Sequence, residues 1–223
     1  MENAAPLVGL AERYRALPIL SIACTKDKSI QEILFSSRMA ERFLNSSIQI
    51  AKQGGFAGVE WQCACKSETE SAKVKELLAE FAEKCKENGL LMFAQGDPSF
   101  GCGTVLSKFP DEEKYRKLCE VVSYAYCDDN SRKMPVAEMF HRMQVRSEAV
   151  EFDVEKQISV FRPAPSRTSD SEVIYFEDAR SIMQKIKHIK ENDFGGVAIR
   201  SMTYDSPILW ELLSQNFCMQ KTR

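Results

Sequence analysis

The stretch Phe56–Cys65, FAGVEWQCAC, holds the side chains with the clearest chemical potential in this sequence. Its apolar content marks it as a β-strand, and alternate strand residues face the same side. Glu60, Gln62 and Ala64 therefore share one face, while Trp61 points the other way, toward a covering helix. Glu60 offers a carboxyl group of the kind that serves as general acid or base. Gln62 has a hydrogen-bonding shape without charge, and Ala64 offers only a methyl group. Trp61 reads as packing between sheet and helix, and Tyr124 and Tyr126 are the better candidates for stacking on a ligand.

Metal and thiol chemistry has little support. The C-x-C pair Cys63 and Cys65 has only His141 and His188 as imidazole partners, and both lie in unrelated segments. A zinc site would show two spaced ligand pairs. No metal and no cofactor is expected. The eight cysteines permit disulfides but prove none, and Cys24 and Cys119 sit in apolar runs as small hydrophobes. Gly96–Gly103 includes GDPSFGCG, which lacks the terminal lysine of a phosphate loop and reads as a loop at a strand end. Asn45-Ser46-Ser47 is a glycosylation sequon in the middle of a helix. Lys84 and Lys86, like Lys185, Lys187 and Lys190, read as solvated helix faces.

Short β-type runs alternate with longer amphipathic ones, and these elements must position the candidate residues. Strands are predicted near 18–24, 57–63, 90–95, 119–126, 157–161 and 195–202. Helices are predicted over 30–53, 67–88, 111–117, 134–150, 176–192 and 208–217, the clearest carrying Val74, Leu77, Leu78, Phe81 and Cys85 as one stripe. Gly54-Gly55 and Asn88-Gly89 end two of them. No hairpin signal interrupts the alternation, which argues for parallel α/β. The 223 residues suit one domain, and the net charge of −2 advertises no phosphate-rich partner. Nucleic acid is not expected as a ligand. The apolar runs are far short of a membrane span, so no membrane partner is expected either. The opening segment carries Glu12, Arg13 and Arg15 and does not read as a secretory signal. Either the chain stays inside the cell or its true N-terminus is missing.

Three stretches carry a resemblance to glycoside hydrolase family 18, the chitinases and chitinase-like proteins. LPILSIACTKDKSIQEILFSSRMAERFLNSSIQIAKQGGFAGVEW is similar to the family's third strand, helix and fourth strand. KVKELLAEFAEKCKENGLLMFAQ resembles the next helix and fifth strand. VIYFEDARSIMQKIKHIKENDFGGVAIRSMTYDS resembles the closing helix and eighth strand, and VVSYAY matches the sixth strand more weakly. The likeness runs from Leu17 to Ser206. It implies a parallel (β/α)8 TIM-barrel type of α/β fold, incomplete, with about six strands. The first two strands have no counterpart, and the chain reads as a single domain with no insertion domain.

The resemblance also implies what is missing. The family's fourth strand ends in D-x-x-D-x-D-x-E, whose Glu protonates the leaving oxygen while the substrate's own acetamido group attacks. Those four positions read Ala57, Glu60, Gln62 and Ala64 here. Arg200 stands where the family's tryptophan floors the reactive sugar, and Tyr124 keeps the sixth-strand tyrosine. The implied reading is a chitinase-like protein that is not an enzyme. Gln62, Tyr124, Tyr126 and Arg200 are its candidate contacts to chitin or N-acetylglucosamine oligosaccharides. The alternative is a protein-interaction module on a degenerate barrel, with a protein partner or self-association and no sugar site.

Overall fold

The computed structural model describes residues 5–24, 27–63, 68–95, 104–108, 114, 116–127, 132–146, 150–163, 173–201 and 206–218. They fall into two compact units, one built mainly on residues 1–96 and 105–116, the other on 117–219.

The first unit runs α1 (Ala5–Arg13), β1 (Ile19–Cys24), α2 (Asp27–Phe35), α3 (Ser37–Gly54), β2 (Gly58–Cys63), α4 (Glu68–Glu87), β3 (Leu91–Gln95) and β4 (Thr104–Lys108). Strands β1, β2 and β3 are parallel neighbours, as the helical crossovers between them require. Strand β4, absent from the sequence reading, returns antiparallel to β3.

The helix predicted over 30–53 is two helices. Ser36 takes an extended backbone and its Oγ accepts from the Met39 N–H at 3.4 Å, which starts α3 afresh. Gly55 ends α3 at φ +73°, a left-handed conformation suited to glycine. Leu44, Ile48 and Ala51 of α3 and the predicted stripe of α4 pack against Val59 and Trp61 of β2 and Met92 and Ala94 of β3. Phe35 and Ile50 fall outside this packing and are exposed.

Gly58 sets the approach of β2 to β3. A Cβ there would lie 2.5 Å from the Leu91 carbonyl oxygen and 2.6 Å from the Leu91 Cβ, closer than packing permits. Gly58→Ala should therefore destabilise the chain by about 1–3 kcal/mol, the usual cost of overpacking. Thermal denaturation measures it, and an unchanged midpoint would contradict the close approach.

The second unit comprises β5 (Arg116–Val122), β6 (Tyr124–Cys127), β7 (Lys133–Pro135), α5 (Val136–Arg146), β8 (Val150–Asp153), β9 (Ile158–Phe161), β10 (Ile174–Phe176), α6 (Ala179–Glu191), β11 (Gly196–Arg200) and α7 (Pro207–Asn216). Strands β5 and β11 pair in parallel. Val121 of β5 packs against Ile182 and Ile186 of α6 and Leu209 and Leu213 of α7. Five of the six predicted strands thus correspond to β1, β2, β3, β5 and β11 among the described residues, while 157–161 belongs to an antiparallel sheet and the unpredicted β4 pairs antiparallel with β3.

Residues 124–176 depart from that expectation. They form a five-stranded antiparallel sheet in the order β7-β6-β10-β9-β8, where the sequence reading placed one parallel strand and no inserted sheet. The strand predicted over 119–126 is broken at Ser123, whose hydroxyl donates to the backbone carbonyls of Arg200 and Ser201. The turn between β8 and β9 is held by Asp153, whose Oδ1 accepts from the backbone of Glu155 at 3.0 Å and Lys156 at 2.9 Å. The helix predicted over 111–117 gives way to β5 from Arg116 onward. That predicted over 134–150 gives way to strands at both ends.

Cys85, Cys119 and Cys127 are buried, and Cys218 is exposed. Burial pushes the Cys85 thiol up to about 12, so it behaves as a small hydrophobe. Among the described residues, no helix is long and apolar enough to cross a membrane.

Candidate functional site

Two groups of polar side chains stand at parallel strands, one in each unit. In the first unit, Val59 and Trp61 are buried under α3 and α4, so strand alternation turns Glu60 and Gln62 to the opposite face. There the Gln62 Nε2 donates to the Glu60 Oε2 at 3.0 Å. Register places Ser21 on one side of Glu60 and Phe93 on the other, with Ser107 beyond Phe93. The buried Ser107 Oγ has no hydrogen-bond partner among the described residues. The surface is thus a half-buried carboxyl group, an amide that orients it, and a hydroxyl with unused capacity.

In the second unit, Glu120 of β5 and Arg200 of β11 face one another. The Arg200 Nε donates to the Glu120 Oε1 at 2.7 Å, with the Arg200 side chain 45% exposed and that of Glu120 16%. Partial burial pulls the guanidinium pKa down, but the Glu120 carboxylate and a hydrogen bond to Tyr124 outweigh it and hold the group above its ordinary value. The Tyr124 and Tyr126 rings meet edge to face at 6.1 Å, and Tyr126 stacks on Tyr175 at 5.6 Å. Burial, with Glu177 nearby, pushes the Tyr126 hydroxyl up to about 12, so it stays protonated. Lys133 sits 4.9 Å over the Tyr124 ring. Lys156 lies 4.1 Å from the Tyr175 ring centre and its Nζ donates to the Tyr175 hydroxyl at 2.7 Å.

Beneath this row lies a buried ion pair that the sequence reading missed. Lys185 and Glu177 are each 2% exposed and hydrogen-bonded to one another. The Ser181 Oγ also donates to Glu177 at 2.6 Å, and the Lys185 Nζ reaches the Glu120 backbone carbonyl at 3.5 Å. Lys185, expected on a solvated face, is thus an interior residue. Its spacing from Ile182, Ile186 and Ile189 was the available signal, because all four fall on one helical stripe.

The candidates sort as follows. Glu60 and Gln62 come together, and so do Tyr124, Tyr126 and Arg200, each group within its own unit. Ala57 lies just before β2, its N–H donating to the Pro18 carbonyl. Ala64, the position on which loss of the acid was argued, lies outside the described residues. Tyr124 is 3% exposed, so its ring is part of the packing and offers no open stacking surface. Trp61 is buried against Phe43 as expected. Among the described residues, no group of three or more His, Cys, Asp or Glu could hold a metal ion.

Solved structures decide what this arrangement of strands and helices is. The spore cortex-lytic enzyme SleL of Bacillus megaterium superposes with a TM-score of 0.70 at 15% identity, over 96% of this chain and 63% of that one. A class V chitinase of Pseudomonas fluorescens gives 0.69 at 11% identity, over 94% of this chain and 83% of its own. The class V chitinase of Nicotiana tobaccum gives 0.67 at 14%, over 96% and 85%. The fold is the chitinase fold of glycoside hydrolase family 18. No family model and no curated protein matches the sequence. The chain spans less than two thirds of the length of SleL.

The chitinase fold corrects one expectation. The chain was expected not to be an enzyme, yet the structures that share its fold are chitinases and a cortex-lytic enzyme. The expected loss of the catalytic acid finds no support among the described residues, because Ala64 lies outside them.

Proposed function

We propose that this chain engages N-acetylglucosamine-containing polysaccharide at the C-terminal ends of its parallel strands. The observation that carries the reading is the placement of polar groups within the chitinase fold. Within the second unit, Arg200 is the last residue of β11 and Glu120 lies near the end of β5. Barrel enzymes place their chemistry at that end of the strands. Retention of the full chain on chitin beads, with release by soluble chitooligosaccharide, is the expected result. A chain that passes through the beads unretained would favour the alternative, a protein-interaction module with no sugar site.

A second reading, hydrolysis with Glu60 as proton donor, is favoured by the Gln62–Glu60 hydrogen bond. That bond fixes a half-buried carboxyl group on the face opposite the helices, and a positioned acid contributes about 10²–10⁴-fold to such a step. A fluorogenic chitooligosaccharide should be turned over by the unmodified chain, and Glu60→Gln should lower kcat by about that factor. Turnover that survives Glu60→Gln unchanged would remove Glu60 from the role, and no turnover by the unmodified chain would remove the reading.

A further inference from the structure

We propose that the first unit binds a second copy of this chain, whose helix α1 enters the groove formed by α2, α3 and α4. The contact is independent of the glycan-binding reading.

The two halves of that contact stand unmatched in one unit. Leu7, Leu10 and Tyr14 are 68%, 49% and 66% exposed. Their spacing of i, i+3 and i+7 lays them along one side of α1, the pattern by which an amphipathic helix anchors in a groove. The Tyr14 N–H donates to the Leu10 carbonyl at 3.1 Å, so the helical turn extends to the third anchor. Val8, on another side of α1, is buried and packs against Gly55. Helical spacing also sorts the charges, because Arg13 borders the stripe while Glu12 falls on the opposite side.

The groove has a volume of about 480 Å³, and its lining includes the buried Leu34 and Leu77 and the exposed Phe35. Two of its cations are committed: Lys73 pairs with Glu76 at 2.7 Å, and the Lys84 Nζ donates to Asn45 at 3.1 Å. Glu41 and Glu80 also line it, and neither carboxylate has a partner among the described residues. Apolar surface with two uncommitted carboxylates matches an apolar stripe bordered by a guanidinium.

A chain cannot fill its own groove. Val8 holds α1 against Gly55, just past the C-terminal end of α3, whereas Ala40 and Glu41 line the groove near the start of that helix. At 1.5 Å per residue the two places are about 20 Å apart, more than the length of the nine-residue α1. A second copy supplies the matching stripe. Stripe and groove are built from different residues, so the contact runs head to tail.

Sedimentation velocity of the full chain over a concentration series tests this. The expected result is association that grows with concentration and weakens as salt is raised. Leu10→Asp, which spoils the stripe, and Phe35→Asp, which spoils the groove, should each weaken it by about tenfold or more. Mixed together, they should form a 1:1 complex, because one variant keeps the groove and the other keeps the stripe. Both side chains are exposed, so the thermal midpoints should match that of the parent. Arg13→Glu alters only an exposed charge and should weaken association about twofold to fivefold, the worth of an exposed ion pair. A parent chain that stays monomeric up to about 1 mM would overturn the proposal. So would association untouched by Leu10→Asp and Arg13→Glu, or folded variants that fail to pair when mixed, which would mean that stripe meets stripe or that another face is used.

Discussion

Lys185→Met is expected to remove about 3–5 kcal/mol of folding stability, as breaking one side of a buried ion pair does. Lys185 and Glu177 are each 2% exposed, so deleting the ammonium strands a carboxylate where water cannot reach it. The Ser181 hydroxyl, at 2.6 Å, cannot by itself replace a charge. The double variant Glu177→Leu, Lys185→Met should be far milder. Both charges then leave together, apolar groups of similar size fill the space, and the Ser181 Oγ retains the Asp178 carbonyl as acceptor at 3.1 Å. Urea denaturation at neutral pH separates the cases. A single variant within 1 kcal/mol of the parent would mean the pair is not sealed from solvent.

The same pair bears on the site above it. Lys185 reaches the backbone carbonyl of Glu120, and the Glu120 carboxylate orients Arg200. The buried charge thus anchors the strand that supplies Arg200 with its partner. A destabilised Lys185→Met chain that still binds chitooligosaccharide as the parent does at low temperature would place the pair in stability alone.

What the sequence disclosed follows physical range. Strands β1, β2, β3 and β11 are short runs rich in apolar residues, and α4 and α6 carry dense stripes at helical spacing, so each is legible from nearest neighbours alone. The β8–β9 hairpin was not. Its turn uses an Asp153 side chain and places Gln157 at φ +52°, without the Asn-Gly or Asp-Gly pair that usually announces such a turn. Strand β10 is three residues long and reveals itself only through its partners β6 and β9. The Glu60–Gln62 pair could be read, because two-residue alternation fixes it locally. The Glu120–Arg200–Tyr124 cluster and the Glu177–Lys185 pair draw on five elements or their flanks, and no spacing within one segment announces such a meeting. The antiparallel sheet brings Tyr126 against Tyr175, and the β5–β11 register brings Arg200 to Glu120.

Trp61→Ala should cost about 3–5 kcal/mol, the range for emptying a large aromatic site in a core. Trp61 is 1% exposed, its ring centre lies 5.5 Å from that of Phe43, and Phe43 in turn lies 6.4 Å from Phe81. Helices α3 and α4 thus share this aromatic cluster with β2. The packing has a consequence on the other side of the strand. With Trp61 locked outward, the two-residue period leaves Glu60 and Gln62 only the opposite face, so the core residue fixes the direction of the polar pair. A tryptophan in that position should not sense a saccharide. The chain has two tryptophans, so Trp210→Phe isolates the emission of Trp61. In that variant, saturating chitohexaose should leave the emission maximum unmoved, while thermal unfolding shifts it to the red. A saccharide-induced shift would mean that Trp61 reaches the ligand, and that the face assigned to Glu60 and Gln62 is reversed.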